Sequence, residues 1–479
     1  MFSTHPLLLL IFSPLFFAMG ILIHPLKKTS FAKILLFSSL SLSLIYSLGL
    51  WATYSSPIIE SYTWLPSLGI TLSFTLDSLS LAMIVMTSLV SLLAFIALPL
   101  IKNQTRLFAS LFLFLQAGLF GTFLASDLFV FYLFWEAALI PMLFITGMWG
   151  DVNRYKATIK FFLYTLVGSF AMLLAIIFLV VEHKNQFGLP SSDFLAIKKL
   201  ALDPKHSIYL FWAFTLAFLI KIPQFPLHNW QPELYKTAPP HGAIFLSALM
   251  AKMGTYGLLR FSLGLFPQAS QEMAPYVIAL ALTSIIYGAY CAWSEQDTRK
   301  IIAYSSMSHA GFIVLGLFTL NTLGTNGAIY QMFNHALLTC GLFVILASLY
   351  ERTGSYTLGE VGGLAKKVPW LALGFFIVIL SSVGLPGTNS FAGEFPILLS
   401  SFAYKPLVAL LAGTGVIWGA LYSLKLYRSL MLGESKLLYH TEIYDLKLNE
   451  LFTLIILSAL IFVIGFVPSI FFAKMQVLP

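Results

Sequence analysis

Four residues of this 479-residue chain stand where a charge is hard to keep: Glu136, Lys221, Lys252 and Glu394 each lie inside a long apolar run. Carboxylates and amines take up and release protons. A charge held in mid-membrane costs at least about 2.5 to 3.5 kcal/mol and is rarely retained without a use. Glu136 lies nine residues after Asp127 and thirteen before Trp149, close to the middle of a helix that rises about 1.5 Å per residue. Lys252, ten residues after Gly242 and eight before Arg260, is central in the same sense. Neither interface is within reach of such a position, so snorkelling does not account for them. Two readings remain: buried ion pairs that only hold helices together, and proton carriers. One amine–carboxylate pair at about 4 Å and an effective dielectric of about 20 is worth about 4 kcal/mol, roughly a thousandfold in proton occupancy. Moving a carboxylate toward or away from a poorly solvated amine therefore switches whether the amine holds its proton.

Lys221 and Glu394 carry a second signal, because each adjoins a helix-breaking sequence. Lys221 is followed by Pro223 and Pro226, and Glu394 follows Gly384, Leu385, Pro386 and Gly387. Proline removes a backbone donor, and lipid tolerates the resulting break only where protein encloses it or a watery cavity borders it. Two broken helices at corresponding places in two halves point to a transporter of inverted repeats with its site near the midplane.

The elements that must position these groups are membrane helices. The chain is 59% hydrophobic and only 10% charged, against about 25% charged in a soluble domain, which excludes a soluble enzyme. Fourteen apolar runs are long enough to span a bilayer, near 7–23, 34–51, 78–100, 107–125, 128–149, 158–181, 207–222, 241–262, 275–293, 301–320, 327–349, 369–403 (interrupted), 408–430 and 452–473. Membrane barrel strands would alternate instead, so the fold class is all-α. The first run lacks the basic residues and cleavage site of a signal peptide and is read as a helix. Breaks near Pro223 and Pro386 make spans 4–8 and 9–13 two inverted five-helix repeats. This divides the chain into an N-terminal three-helix segment (1–106), two repeats (107–262 and 275–430) and a C-terminal helix (431–479).

The 27 basic residues exceed the 19 acidic ones by eight, and 18 of the 27 fall in the odd-numbered loops, among them Lys27, Lys28, Lys102 and Lys436. By the positive-inside rule both termini should lie on the outer face, so the surplus is a topology signal and not a nucleic-acid footprint. Cys291 and Cys340 lack the spacing of an iron–sulfur site or a disulfide framework, and no metal-ligand or dinucleotide motif stands out. The Gly-rich stretch from Leu358 to Pro369 lacks the Gly-Lys-Ser/Thr spacing of a phosphate cradle. Asp127 is expected to cap its helix.

Six segments in order carry a resemblance: ASDLFVFYLFWEAALIPMLF around Glu136, FLIKIPQFPLHNWQPELYKTAPPHG around Lys221, LMAKMGTYGLLRF around Lys252, YSSMSHAGF around His309, YQMFNHALLTCGLF around His335 and GLPGTNSFAGEFPIL around Glu394. Over nearly its whole length the chain resembles the antiporter-like membrane subunits of NADH-quinone oxidoreductase, respiratory complex I. Glu394 resembles the M-type (chain 4) branch, where the L-type, N-type and Mrp-type relatives have lysine. The loop after His228 departs from the family pattern at Glu233, Tyr235 and Thr237, which puts its role as a polar entry path in doubt.

The resemblance implies that Glu136 gates, that Lys221, Lys252 and Glu394 carry protons in turn, and that His309 and His335 relay between Lys252 and Glu394. For His228, a gating role and a loop position at the membrane surface are both open. It further implies that NAD, FMN, iron–sulfur clusters and quinone belong to partner subunits, with no redox centre or cofactor in this chain. The implied partners are the other complex I membrane subunits, the L-type and N-type chains among them, and the implied setting is a bacterial inner membrane or an equivalent organellar one. The alternatives are a subunit of an Mrp-type antiporter or membrane-bound hydrogenase, and a scaffold that does not pump.

Overall fold

The structure, a computed structural model, describes residues 5–23, 29–101, 103–432, 434 and 443–472. Lys27, Lys28, Lys102 and Lys436, used above for topology, lie outside the described residues, as do both chain ends and part of the expected C-terminal segment 431–479.

The apolar runs form helices: α1 (Pro6–Ile23), α2 (Thr29–Thr53), α3 (Ser78–Ala97), α4 (Thr105–Leu124), α5 (Leu128–Trp149), α6 (Arg154–Phe187), α7 (Pro204–Lys221), then the short α8 (Gln231–Thr237), α9 (Pro240–Leu263), α10 (Pro267–Ser294), α11 (Thr298–Phe318), α12 (Thr322–Thr353), α13 (Pro369–Val383), α14 (Asn389–Tyr404), α15 (Pro406–Leu432) and α16 (Leu448–Phe466). Among the described residues twelve helices are long and apolar enough to cross a membrane. The two other expected spans are the broken ones. α7 stops at Lys221, directly before the prolines, and the run 369–403 is split into α13 and α14 by the turn at Gly384–Gly387. Both breaks fall where proline and glycine require them.

One element departs from the all-α expectation. Strands β1 (Ile58–Leu65) and β2 (Ile70–Leu76) form an antiparallel hairpin between α2 and α3. Gly69 closes its turn at φ 70°, where a Cβ would meet the Pro190 carbonyl oxygen at 2.1 Å. Glu60 of β1 accepts hydrogen bonds from the Leu7 and Leu8 amides at 2.7 and 3.3 Å, so the hairpin caps the start of α1.

The chain forms two compact units. The first comprises residues 1–92, 100–221 and 249–273, and the second 93–99, 222–248 and 274–479. In the first, Asp127 caps α5 by accepting from the Phe129 and Val130 amides, and the backbone at 127 pairs with Asp193. The Leu128 amide donates to Ser192 O and the Phe194 amide to Ser126 O, each at 2.9 Å. The second unit repeats this design. Asp297 caps α11, and its backbone pairs with Thr357 through Thr298 N–H to Tyr356 O and Leu358 N–H to Gln296 O, again at 2.9 Å each. Each pairing follows a long helix, α6 of 34 residues or α12 of 32, that ends on a left-handed glycine, Gly188 or Gly354.

Burial sorts the helices by role. Of the most apolar stretches of α11 and α12, 94% is buried, and of α9, 89%, against 33% and 28% in α1 and α2. The most enclosed helices are those that carry Lys252, His309 and His335. α1 and α2 instead expose Phe16, Ile23, Ile34 and Ile45, as suits a face turned to lipid.

Candidate functional site

In the first unit glycines bring the charged helices together. Gly118 and Gly121 of α4 lie against Ala138 and Phe134 of α5, the residues on either side of Glu136. Gly168 of α6 lies against Ala217 of α7, and Gly257 of α9 against Phe218 of α7. α7, which ends on Lys221, is thus held between two glycine contacts. Its last turn packs in an aromatic cluster in which Phe218 meets Trp135 at 5.5 Å, Phe131 at 6.3 Å and Phe261 at 6.4 Å between ring centroids.

Lys221 is buried, with its ammonium 4.6 Å above the Trp135 ring and no hydrogen-bond partner. Glu136, next to Trp135, is close enough for its charge to act on Lys221, yet no ion pair joins them, and Glu136 Oε1 is buried without a hydrogen bond. An amine and a carboxylate are thus buried near one another without a salt bridge. Lys252 is buried in a segment, Ala251–Gly257, flanked by two π-helical stretches, Phe245–Met250 and Leu258–Leu263. Such wide turns are rare and are frequent at functional sites.

A charge pair secures the far end of this helix. Arg260 Nη2 lies 2.5 Å from Asp77 Oδ2, and Arg260 Nε donates to Tyr256 Oη at 3.2 Å. Asp77 stands just before α3. Burial alone would raise its carboxyl, but the Arg260 guanidinium and the Ser80 amide hold it below the ordinary value. Asp127 is the cap that its position implied, and its Oδ2 also accepts from Ser192 Oγ at 2.6 Å and the Thr71 amide at 3.1 Å. There burial prevails and raises the carboxyl despite these bonds.

In the second unit Glu394 is the centre of a buried polar cluster. Gly327 of α12 packs on Gly393 of α14, so the two helices approach closely beside Glu394. Glu394 Oε1 accepts from His309 Nδ1 at 2.7 Å and from Gln331 Nε2 at 2.8 Å. The His335 ring lies 5.7 Å from that of His309. Around them Asn334 Nδ2 donates to Asn389 O at 2.6 Å, and Ser381 Oγ to Asn389 Oδ1 at 2.7 Å. The structure therefore joins His309, His335 and Glu394.

His228 is placed apart from that cluster. It is buried in the turn after α7, stacked on Phe225 at 5.8 Å and edge-on to Tyr287 at 5.2 Å, so its ring is enclosed and not exposed on a surface loop. The altered stretch from Gln231 to Thr237 forms α8, with Tyr235 buried edge-on against Phe343.

Trp135, Gln331, Tyr422 and Ser305 were not singled out from sequence. Gln331 and Ser305 each precede a chosen histidine by four residues, one helical turn, and that spacing is the signal that could have found them. Tyr422 had none.

Residues 125–418 match the family described as NADH:quinone oxidoreductase/Mrp antiporter, TM. The chain is 40% identical over 415 residues to NADH-quinone oxidoreductase subunit M of Rickettsia prowazekii, covering 86% of this chain and 83% of that one. It is 34% identical over 475 residues to NADH-ubiquinone oxidoreductase chain 4 of Chondrus crispus, covering 98% and 95%. A chain of respiratory complex I from Thermus thermophilus superposes with a TM-score of 0.88 at 31% identity, over 98% of this chain and 97% of that one. With this match over most of its length, the chain belongs to the NADH:quinone oxidoreductase/Mrp antiporter transmembrane family, among its subunit M and chain 4 members.

Proposed function

We propose that this chain is a proton-translocating membrane subunit of NADH-quinone oxidoreductase, driven by NADH oxidation and quinone reduction in other subunits. The observation that carries the reading is the buried trio of His309, Gln331 and Glu394, a carboxylate accepting two hydrogen bonds through one oxygen with a second histidine beside it. Glu136 is the gating carboxylate, Lys221 the first carrier, Lys252 the connecting carrier and Glu394 the terminal one. His309 and His335 relay, since an imidazole can accept on one nitrogen while donating from the other. The absence of an ion pair between Glu136 and Lys221 supports the gate, because closing the distance is what would hold a proton on the amine.

In this reading residues 107–262 and 275–430 are the two inverted repeats, preceded by 1–106 and followed by 431–479. The matched cap and backbone pairing at Asp127 and Asp297 supports that division. NAD, FMN, iron–sulfur clusters and quinone reside in partner subunits, the L-type and N-type chains are neighbours in the membrane, and both termini face outward.

The test is Lys221→Met in the assembled complex, reconstituted in vesicles that carry an internal pH dye. Proton delivery and coupled quinone reduction should both fall at least tenfold while the complex still assembles. Undiminished pumping would leave the chain a scaffold.

A further inference from the structure

Glu394 faces only one nitrogen of His309, Nδ1. Tyr422 of α15 presents its hydroxyl to His309 Nε2 at 3.4 Å and to Ser305 Oγ at 2.8 Å. Tyr422, Ser305 and His309 are each at most 4% exposed, and a hydroxyl is both donor and acceptor. Ser305 lies one turn from His309 toward the Asp297 end of α11. Seven residues further, on the same face, Thr298 Oγ1 is buried with no hydrogen-bond partner. Along a helix that separation is about 10 Å, which a chain of about three waters would span at about 2.8 Å per hydrogen bond, and an orphaned buried hydroxyl is where such water binds.

We propose that Tyr422 and Ser305 are proton-relay residues linking His309 to the Asp297 end of α11, so that the Glu394 site has a feed of its own through this unit. The inference rests on the proton-translocating reading above and names a further path for it. In one transfer a hydronium ion at the Ser305 end gives its proton to Ser305 Oγ, which passes its own hydrogen to Tyr422 Oη. Tyr422 passes its hydrogen to His309 Nε2, and His309 gives the Nδ1 hydrogen to the Glu394 carboxylate. Each hydroxyl forms one O–H bond and breaks one, so neither becomes charged. Hydronium becomes water, Glu394 becomes neutral, and His309 ends with its hydrogen on Nε2. Once Glu394 has released its proton, exchange with water returns His309 to its starting tautomer: one proton is taken from Nε2 and one is given to Nδ1, with no net change in charge. The Tyr422 hydroxyl, bound by both neighbours, sets the direction of the relay by its rotation.

The test uses the assembled complex in proteoliposomes with Tyr422→Phe, which removes one oxygen and keeps the ring, and with Ser305→Ala and Ser305→Thr. Tyr422→Phe and Ser305→Ala should each lower the proton-to-electron ratio or the coupled turnover at least fivefold and enlarge the solvent deuterium isotope effect. Ser305→Thr, which keeps a hydroxyl, should retain more than half of the parent activity, and the double variant Tyr422→Phe/Ser305→Ala should be no worse than either single one, because both interrupt one relay. Full activity in Tyr422→Phe, or losses that multiply in the double variant, would overturn the relay. Should Tyr422→Phe fail to assemble, the Ser305 pair decides by the same criterion. Glu394→Gln is run alongside: if it pumps normally the proton-translocating reading itself fails, and if it alone is impaired only the relay fails.

Discussion

The glycine between the two lysine helices should be the most sensitive position in the first unit that carries no charge. A Cβ on Gly257 would lie 2.3 Å from Phe218 Cε1, whereas ordinary contact begins at 3.4 Å, so Gly257→Ala demands that the ring or its helix move by about 1 Å. The ring is not free to turn away, since Trp135, Phe131, Phe214 and Phe261 surround it. The displacement therefore passes to Trp135, the ring beneath the Lys221 ammonium, and to the last turn of α7. Overpacking of this kind costs about 1 to 3 kcal/mol, which a large assembled complex tolerates, whereas about 1 Å of misplacement at a reacting group costs roughly 100-fold in rate. Gly257→Ala should accordingly assemble, yet lower proton delivery per electron or coupled turnover by one to two orders of magnitude. Phe218→Leu in the same chain should restore much of it by making room. The assay is lumenal acidification against quinone reduction in proteoliposomes, with the amount of complex read from a native gel. Parent-like pumping by Gly257→Ala, or no recovery in the double variant, would refute the transmission from Gly257 through Phe218 to Lys221.

Two further outcomes follow from buried charges outside the proposed path. Arg352 pairs with Glu450 through two hydrogen bonds, 3.0 and 2.6 Å, with both side chains almost fully buried. Arg352→Met would leave the Glu450 carboxylate unpaired and should destabilise the chain by about 3 to 5 kcal/mol, read as a fall in the detergent-solubilised complex's Tm. Unchanged Tm would show that the pair carries no net stability. The Asp77 carboxyl is held below its ordinary value of 3.8. Its pairing with Arg260 thus adds stability that is fully present above about pH 4 and is lost as the pH falls through the lower folded-state value. Asp77→Asn should be less stable than the parent at pH 7, with the gap closing on acidification below pH 4. A gap that stays constant would contradict the assignment.

Much of the scaffold was legible because a bilayer imposes a single length on apolar runs. The run 128–149 coincides with α5, and the breaks at Pro223 and Gly384–Gly387 were legible from the backbone donor that proline lacks and the freedom that glycine gives the backbone. The hairpin at 58–76 was missed although Thr71, Ser73 and Thr75 alternate with Ile70, Leu72, Phe74 and Leu76 in its second strand, because a search for unbroken apolar runs discards period-two patterns. The π-helical stretches around Lys252 were not legible, since nothing in LSALMAKMGTYGLLRFSL departs from ordinary helical composition. The four intramembrane charges announced themselves by their cost. Ser305 did not, because a serine hydroxyl in an apolar helix can bond its own backbone, and Tyr422 did not, because its apolar ring fits an apolar run.

The matched backbone pairings also set a timetable for synthesis. Asp127 and Asp193 are 66 residues apart and Asp297 and Thr357 are 60, with a long helix between the partners in each case. At about 5 to 20 residues per second, the start of α5 emerges roughly 3 to 13 s before the segment that pairs with it. During that interval Leu128 N–H and Ser126 C=O lack their final partners. The Asp127 side chain, which satisfies the next two amides from within its own turn, can form at once, so the cap holds the helix start open until α6 has entered the membrane and the later strand arrives to lock it. A chain that loses the cap would meet its partner segment with a frayed helix, and the defect would appear as slow or misdirected insertion before it appeared as lost activity.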